Sequence, residues 1–422
     1  MLLLSLQPAL AWALTDWHDR NRLYENTIYD SDYRTVQFYK GEWEMNFPTL
    51  TMQQTSRLTL EFDKLGDEAP DLAIRIIHCN ADWRPSELIA VQYLEGMETY
   101  PIRDVTVART VLQPFVHYQI QLPQPGMRFK KSGNYAIIVY KDDGSDTPVL
   151  VRRLPVMESG FSIVTDLGLA QGGAATRFRL QQLNFEVLFN NVQVIDPAKQ
   201  IKTTILQNFN WHTAVTNLNP QFFAHGKAIY AYDASNNFPA GNEFRLIDLR
   251  STRLRPNPRM TNISFSDSGT TVFLEVNRPR SFNFYQSELD FNGGFFIDNR
   301  EYNDADLESD YLSVRFRLAM SEFQDGSEVY VYGGLSDWEL LPRTKMFYDQ
   351  QSRMYQTEVL LKQGIYDYKY VVRRPDGTMD EAAIEGDFFE TENAYTILVY
   401  HRGFADRFDR LLGMRHINFY ER

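Results

Sequence analysis

Short apolar runs separated by turn-forming residues recur along the whole chain, and almost none of them carries a helical period. The first set comprises VQFYK from Val36, RLTLEF from Arg57, LAIRII from Leu72, VHYQIQL from Val116, YAIIVY from Tyr135 and VLVRRLPV from Val149. β-branched and aromatic residues fill these runs, as a pleated, half-buried surface favours. SGN at 132–134 and DDGSD at 142–146 bracket one of them and supply the positive-φ positions that hairpins need. Farther on, Leu183, Phe185, Val187 and Phe189 alternate with Asn184, Glu186, Leu188 and Asn190, the period of a strand with one dry face. Residues 201–206, AIYAY, EFRLIDL and TVFLEV continue the rhythm, and in YDYKYVV the side chains of Tyr366, Tyr368, Tyr370 and Val372 share one face. FADRFDRLLG, residues 404–413, places Phe404, Phe408, Leu411 and Leu412 along one stripe with Gly413 at a stop position, which predicts a short C-terminal helix.

A chain of 422 residues exceeds what one ordinary core serves. The pattern predicts an all-β protein of three consecutive immunoglobulin-like/E-set β-sandwich domains, over 22–160, 161–309 and 310–422. KQGIYDYKYVVRRPDG from Lys362 echoes KSGNYAIIVYKDDG from Lys131, as expected of related units used twice or of converging hairpins. The segment 277–296 lacks periodicity and reads as a loop with a strand leading out of it.

Composition narrows the function. Hydrophobic residues make up 43% and aromatics 14%, enough to fold by burial. MLLLSLQPALAWA, residues 1–13, ends in small residues at Ala11 and Ala13 and reads as the end of a secretory signal, although a basic flank is missing. It is shorter than the roughly 20 residues of a membrane-spanning helix, and direct lipid insertion is not expected. The net charge of −12 disfavours nucleic acid, which calls for a basic face. Cys79 is the single cysteine, so no intramolecular disulfide forms and a buried, unreactive thiol is expected.

Catalytic motifs are missing: there is no Gly-x-Ser-x-Gly elbow, His-Glu-x-x-His, phosphate loop or dinucleotide fingerprint, and neither an enzyme nor a cofactor nor a small-molecule substrate is expected. His78, Cys79 and Asp82 form the nearest thing to a metal cluster, but strand neighbours face opposite ways and zinc needs three or four convergent ligands. DNREYNDADLESD, residues 298–310, has the oxygens of a calcium loop without the EF-hand order, and reads as a solvated acidic linker. No metal site is expected.

The stretch AIRIIHCNADWRPSELIAVQYLEG, residues 73–96, stands out. A short apolar strand changes abruptly into a turn rich in His78, Asn80, Asp82 and Arg84 around Trp83, and Pro85 keeps a helix from starting before it. The turn is expected to be fixed. With Tyr93 and Trp338, these side chains are the candidate partner contacts, since aromatics at strand ends serve either as core plugs or as anchors.

This block, read with SGNYAIIVYKDDGSDTPVLVRR (132–153), AGNEFRLID (240–248), VYVYGGLSDWEL (329–340), LKQGIYDYKYVV (361–372) and IEGDFFETENAYTILVYHRGFADRFDRLLG (384–413), resembles the Plug proteins of the bacterial type IX secretion system. The resemblance runs from about Tyr24 onward and implies a periplasmic protein at the outer-membrane translocon barrel, closing its periplasmic opening when no cargo is engaged. The third block also looks like a starch-binding type of β-sandwich. The alternative it implies is a periplasmic glycan binder stacking a sugar on Trp338.

Overall fold

The computed structural model describes residues 17, 19–52, 56–189, 192–224, 226–232, 234–253, 259–267, 269–282 and 284–419. The leader expected over residues 1–13 lies outside them. Among the described residues the chain is all-β, and its helical pieces are three or four residues long. No helix there is long and apolar enough to cross a membrane.

The amino-terminal unit is a sandwich. One sheet runs Thr27–Ile28, Pro148–Met157, Gly133–Lys141, Leu72–Cys79 and Thr99–Pro101; the other runs Tyr33–Lys40, Leu58–Leu65, Phe115–Leu122 and Asp104–Val107. Leu60, Phe62 and Tyr118 from one sheet interlock with Ile74, Ile76 and Ile137 from the other. The six strands read from sequence in this region are all present.

Beyond residue 160 the strands do not respect the expected boundaries. Ile201–Gln207 pairs with Ala394–His401, which pairs with Arg410–Asn418, and this sheet shares a core with Leu180–Leu188 and its neighbours. Between these halves lies a third unit. Its strands follow one path, Arg245–Asp248, Gly364–Arg373, Glu328–Tyr332, Lys345–Asp349, Met354–Lys362, Tyr311–Leu318, Gly269–Asn277 and Met260–Ser266, around a core that includes Val314, Phe316, Val331 and Tyr370. The boundary expected at 309/310 falls inside this sheet, where Gly269–Asn277 lies parallel to Tyr311–Leu318. The third unit is therefore inserted into the second. A strand pattern tells which face is dry but not which strand lies beside it, so an inserted unit looks in the sequence like one more consecutive block.

The C-terminal helix is also corrected. Residues 410–418 form the strand Arg410–Asn418, because Leu411 and Leu412 are both buried in different cores, one on each face of the sheet. A strand with two dry faces shows no alternation and can imitate a helical stripe over ten residues.

The same effect explains the longest apolar runs. Ala73, Ile77, Cys79, Ala136, Ile138 and Val151 leave the first sandwich core on its far face and pack with Leu206, Leu398, Tyr400 and Leu411 of the second unit. Gly133–Lys141 and Ala394–His401 are consequently buried on both faces.

Candidate functional site

Three surfaces position the side chains singled out from sequence. The first is the turn after Leu72–Cys79, which is fixed as expected but faces inward. The Asn80 N–H donates to Arg84 O at 2.9 Å, and Trp83, at φ 63°, donates its N–H back to Asn80 O. Asp409 of the second unit then takes over the turn, accepting from Ala81 N at 2.9 Å and donating its own N–H to Asn80 Oδ1 at 3.2 Å. Trp83 meets Trp211 edge to face, with centroids 4.9 Å apart, and the Arg153 guanidinium lies over both rings. His78 is buried against Tyr93, Tyr135 and Phe408, with Nδ1 bonded to Ser86 Oγ at 2.8 Å and Nε2 to Ser132 O at 3.1 Å. Burial pushes its pKa down to about 4. Tyr93 is buried and donates to Ile76 O. His78, Trp83 and Tyr93 are thus internal and unavailable to a partner in this conformation; the turn latches the first unit to the second. Asp82 and Arg84 are exposed and paired with each other at 3.2 Å. Cys79 is buried as expected, and burial pushes its thiol far up.

Trp338 stands at a cleft of about 900 Å³ where all three units meet, lined also by Lys40, Phe47, Arg152, Phe209 and Phe291. Its ring is half-buried and lies nearly perpendicular to Phe244 at 89° and to Tyr332 at 77°. A sugar platform needs a second open face aligned with the first, and neither neighbour offers one.

The second surface joins the first unit to the third and is built from charge. Glu61 and Asp63 flank the core residue Phe62 and so point away from the sandwich interior. Asp63 accepts from Lys362 Nζ at 2.7 Å, Tyr311 Oη at 2.8 Å and the His117 ring at 2.8 Å, all in a buried setting. Burial alone would raise this carboxyl, but Lys362 and His117 outweigh it and hold it below the usual range. The acidic segment 298–310 supplies the other side. Asp298 pairs with Arg250, Asp304 caps Leu307 and pairs with Arg109, and Asp310 accepts from the backbone of Leu112 and Gln113. Its carboxylates are shared out among separate donors rather than gathered around one centre, in keeping with a linker that also docks. Asp306 differs from these, as it lies beside Glu61 and His117. Glu61 and His117 were missed from sequence because RLTLEF and VHYQIQL read as strands with an ordinary solvent face.

The third surface is the aperiodic loop before Phe295–Ile297. Phe282, Phe284 and Leu289 are 93%, 95% and 93% exposed. The feet of the loop are nevertheless fixed: Arg280 N and Ser281 N donate to Ile384 O, Arg280 Nε pairs with Glu385 at 2.7 Å, and Tyr285 Oη donates to Glu243. Burial would raise Glu385, but Arg245 and Arg280 outweigh it and hold it at about 2. Three large apolar side chains held in water on a tethered loop are unusual for a surface with no partner.

Residues 33–158 match the family described as type 9 secretion system plug protein, 1st domain, which is the first sandwich. A crystal structure of a hypothetical protein from Parabacteroides merdae superposes with a TM-score of 0.88 at 30% identity, covering 94% of this chain and all of that one. A biofilm-associated protein, BSP domain, covers 95% of this chain and 61% of its own at 7% identity, but its TM-score of 0.18 is no structural likeness. No curated protein matches. By the match over its first sandwich, residues 33–158, the chain belongs to the type IX secretion system plug family.

Proposed function

We propose that this protein is an exported subunit that binds the periplasmic mouth of the type IX translocon barrel and obstructs it while no cargo is engaged. The observation that carries the reading is the family match over the first sandwich. Two features of the molecule support it. Three units are joined to one another through buried apolar and charged contacts, which favours a body that moves as one, as an obstruction requires. The tethered loop with Phe282, Phe284 and Leu289 supplies apolar anchors that a moderate, releasable interface can bury, each contributing about 1.5–3 kcal/mol if fully covered. Of the candidate contacts read from sequence, Asp82 and Arg84, paired with each other, are the ones exposed to a partner.

Barrels isolated from cells lacking this protein should pass small solutes that barrels from normal cells exclude; equal permeability rejects the obstruction role. Phe282→Ser with Phe284→Ser and Leu289→Ser should lower co-purification with the barrel while the protein stays folded, and undiminished recovery would remove the loop from the contact.

A further inference from the structure

The cluster of Glu61, His117 and Asp306 takes no part in the reading above. Glu61 and His117 stand on the adjacent strands Leu58–Leu65 and Phe115–Leu122 of the first unit, and Asp306 on the short helix Ala305–Glu308 between strands of the third. One ligand atom from each lies within 4.8 Å of the other two. His117 is nine-tenths buried, and its two nitrogens are treated differently. Nδ1 is engaged by Asp63 Oδ1 at 2.8 Å, whereas Nε2 is buried without a hydrogen-bond partner.

A carboxylate behind one imidazole nitrogen fixes the tautomer and leaves the lone pair of the other nitrogen as a ligand, the outer-shell arrangement typical of metal-binding histidines. Lys362, the nearby cation, is directed elsewhere, to Asp63 Oδ2 and to the backbone carbonyl of Asp306. Gln119 Nε2 donates to one Glu61 oxygen at 3.1 Å and so orients that carboxylate as well. In its neutral form the imidazole turns a lone pair toward two carboxylates, and a cation among the three, whether a proton or a metal ion, relieves their mutual repulsion.

We propose that Glu61, His117 through Nε2, and Asp306 bind one divalent transition-metal ion of the Zn²⁺ type, clamping the first unit to the third. One nitrogen and two carboxylates suit zinc and its first-row neighbours, whereas calcium takes about six to eight oxygens. At metal–ligand distances of about 2.0–2.2 Å, tetrahedral ligands lie about 3.3 Å apart, so the set draws in slightly on binding. Asp306, half-buried on a four-residue helix, is the member placed to move.

The full chain, stripped with EDTA, is titrated with ZnCl₂ in a calorimeter and its bound metal counted by mass spectrometry. The expected result is one saturable site and a rise in melting temperature with zinc. His117→Ala and Asp306→Asn should each weaken binding by more than about tenfold, since loss of an outer-shell partner alone costs on the order of 10–100-fold. Replacing the exposed His212, outside the cluster, should leave it unchanged. Asp306→Asn carries the test if His117→Ala fails to fold, and its metal-free circular dichroism spectrum should match the parent's. Absence of saturable zinc binding, zinc affinity retained in Asp306→Asn, or calcium binding more tightly than zinc at these residues would overturn the proposal.

Discussion

The first unit meets its two neighbours through faces of opposite chemistry. Against the second unit it presents Ile77, Ile138, Cys79 and Trp83, closed by Trp211, Leu398 and Leu411. Against the third it presents Glu61, Asp63 and His117, answered by Lys362, Tyr311 and Asp306. Burying apolar area is favourable wherever shapes fit and has little direction; burying charge is tolerated only where each partner is placed. The dry face supplies adhesion. The charged face supplies register, because a shift of the first unit along the third would strand Lys362 or Asp63 without its counter-charge.

Removing bulk from the dry face should have the largest effect. Trp83→Ala is expected to cost about 3–5 kcal/mol in urea unfolding, and Trp83→Ala with Trp211→Ala still more, because each truncation leaves space that its neighbours cannot fill. A loss under about 1 kcal/mol would mean the two faces are not distinct in kind.

The charged face should respond differently to single and paired changes. Lys362→Met is expected to cost on the order of 3 kcal/mol by leaving Asp63 charged and short of a partner, and Lys362→Met with Asp63→Leu should recover at least about 1 kcal/mol of it. Unlike the tryptophan pair, the second substitution here repairs the first; additive losses would refute the contrast.

Acid should act beside the dry face, on the end of the first sandwich's own core, through His78, which packs against Tyr93 and Tyr135. Its folded pKa of about 4 lies below the ordinary value of about 6.5, so between these values the unfolded chain binds more protons. Stability should therefore fall as pH drops from about 6.5 to about 4, by on the order of 2–3 kcal/mol, and be indifferent to this group above about pH 7. His78→Gln should flatten that limb relative to the parent protein, and an unchanged pH profile would remove His78 as its source.

The smallest effect belongs to the rim of the charged face. Arg109 and Asp304 pair at 2.9 Å but are 60% and 39% exposed. Arg109→Ala is expected to cost no more than about 1 kcal/mol, and 1 M salt should erase most of the difference between variant and parent.

How far these faces could be read from the chain follows from what a strand reveals about itself. YAIIVY and AYTILVY are apolar at successive positions, and both prove to be buried on two sides. The abrupt turn at Asn80 to Pro85 was legible as fixed, because its constraints are local. Its inward orientation was not, since Trp211 and Asp409, which enclose it, lie far along the chain. His117 and Glu61 alternate with core residues in the ordinary way, and nothing in their own segments separates a face packed on another unit from a face in water. The helix expected at Phe404 failed for the converse reason: Leu411 and Leu412 serve two cores, and their adjacency mimicked a stripe.

The insertion of one unit inside another sets a timetable for folding. Ile201–Gln207 emerges early in the chain and has no inner neighbour until Ala394–His401 has followed it, with the whole intruding unit made in between. During that interval a newly made chain carries an open sheet edge, the kind of surface on which chains stick to one another. Cells making this protein therefore have reason to hold the half-finished molecule apart from its siblings until the last two strands arrive.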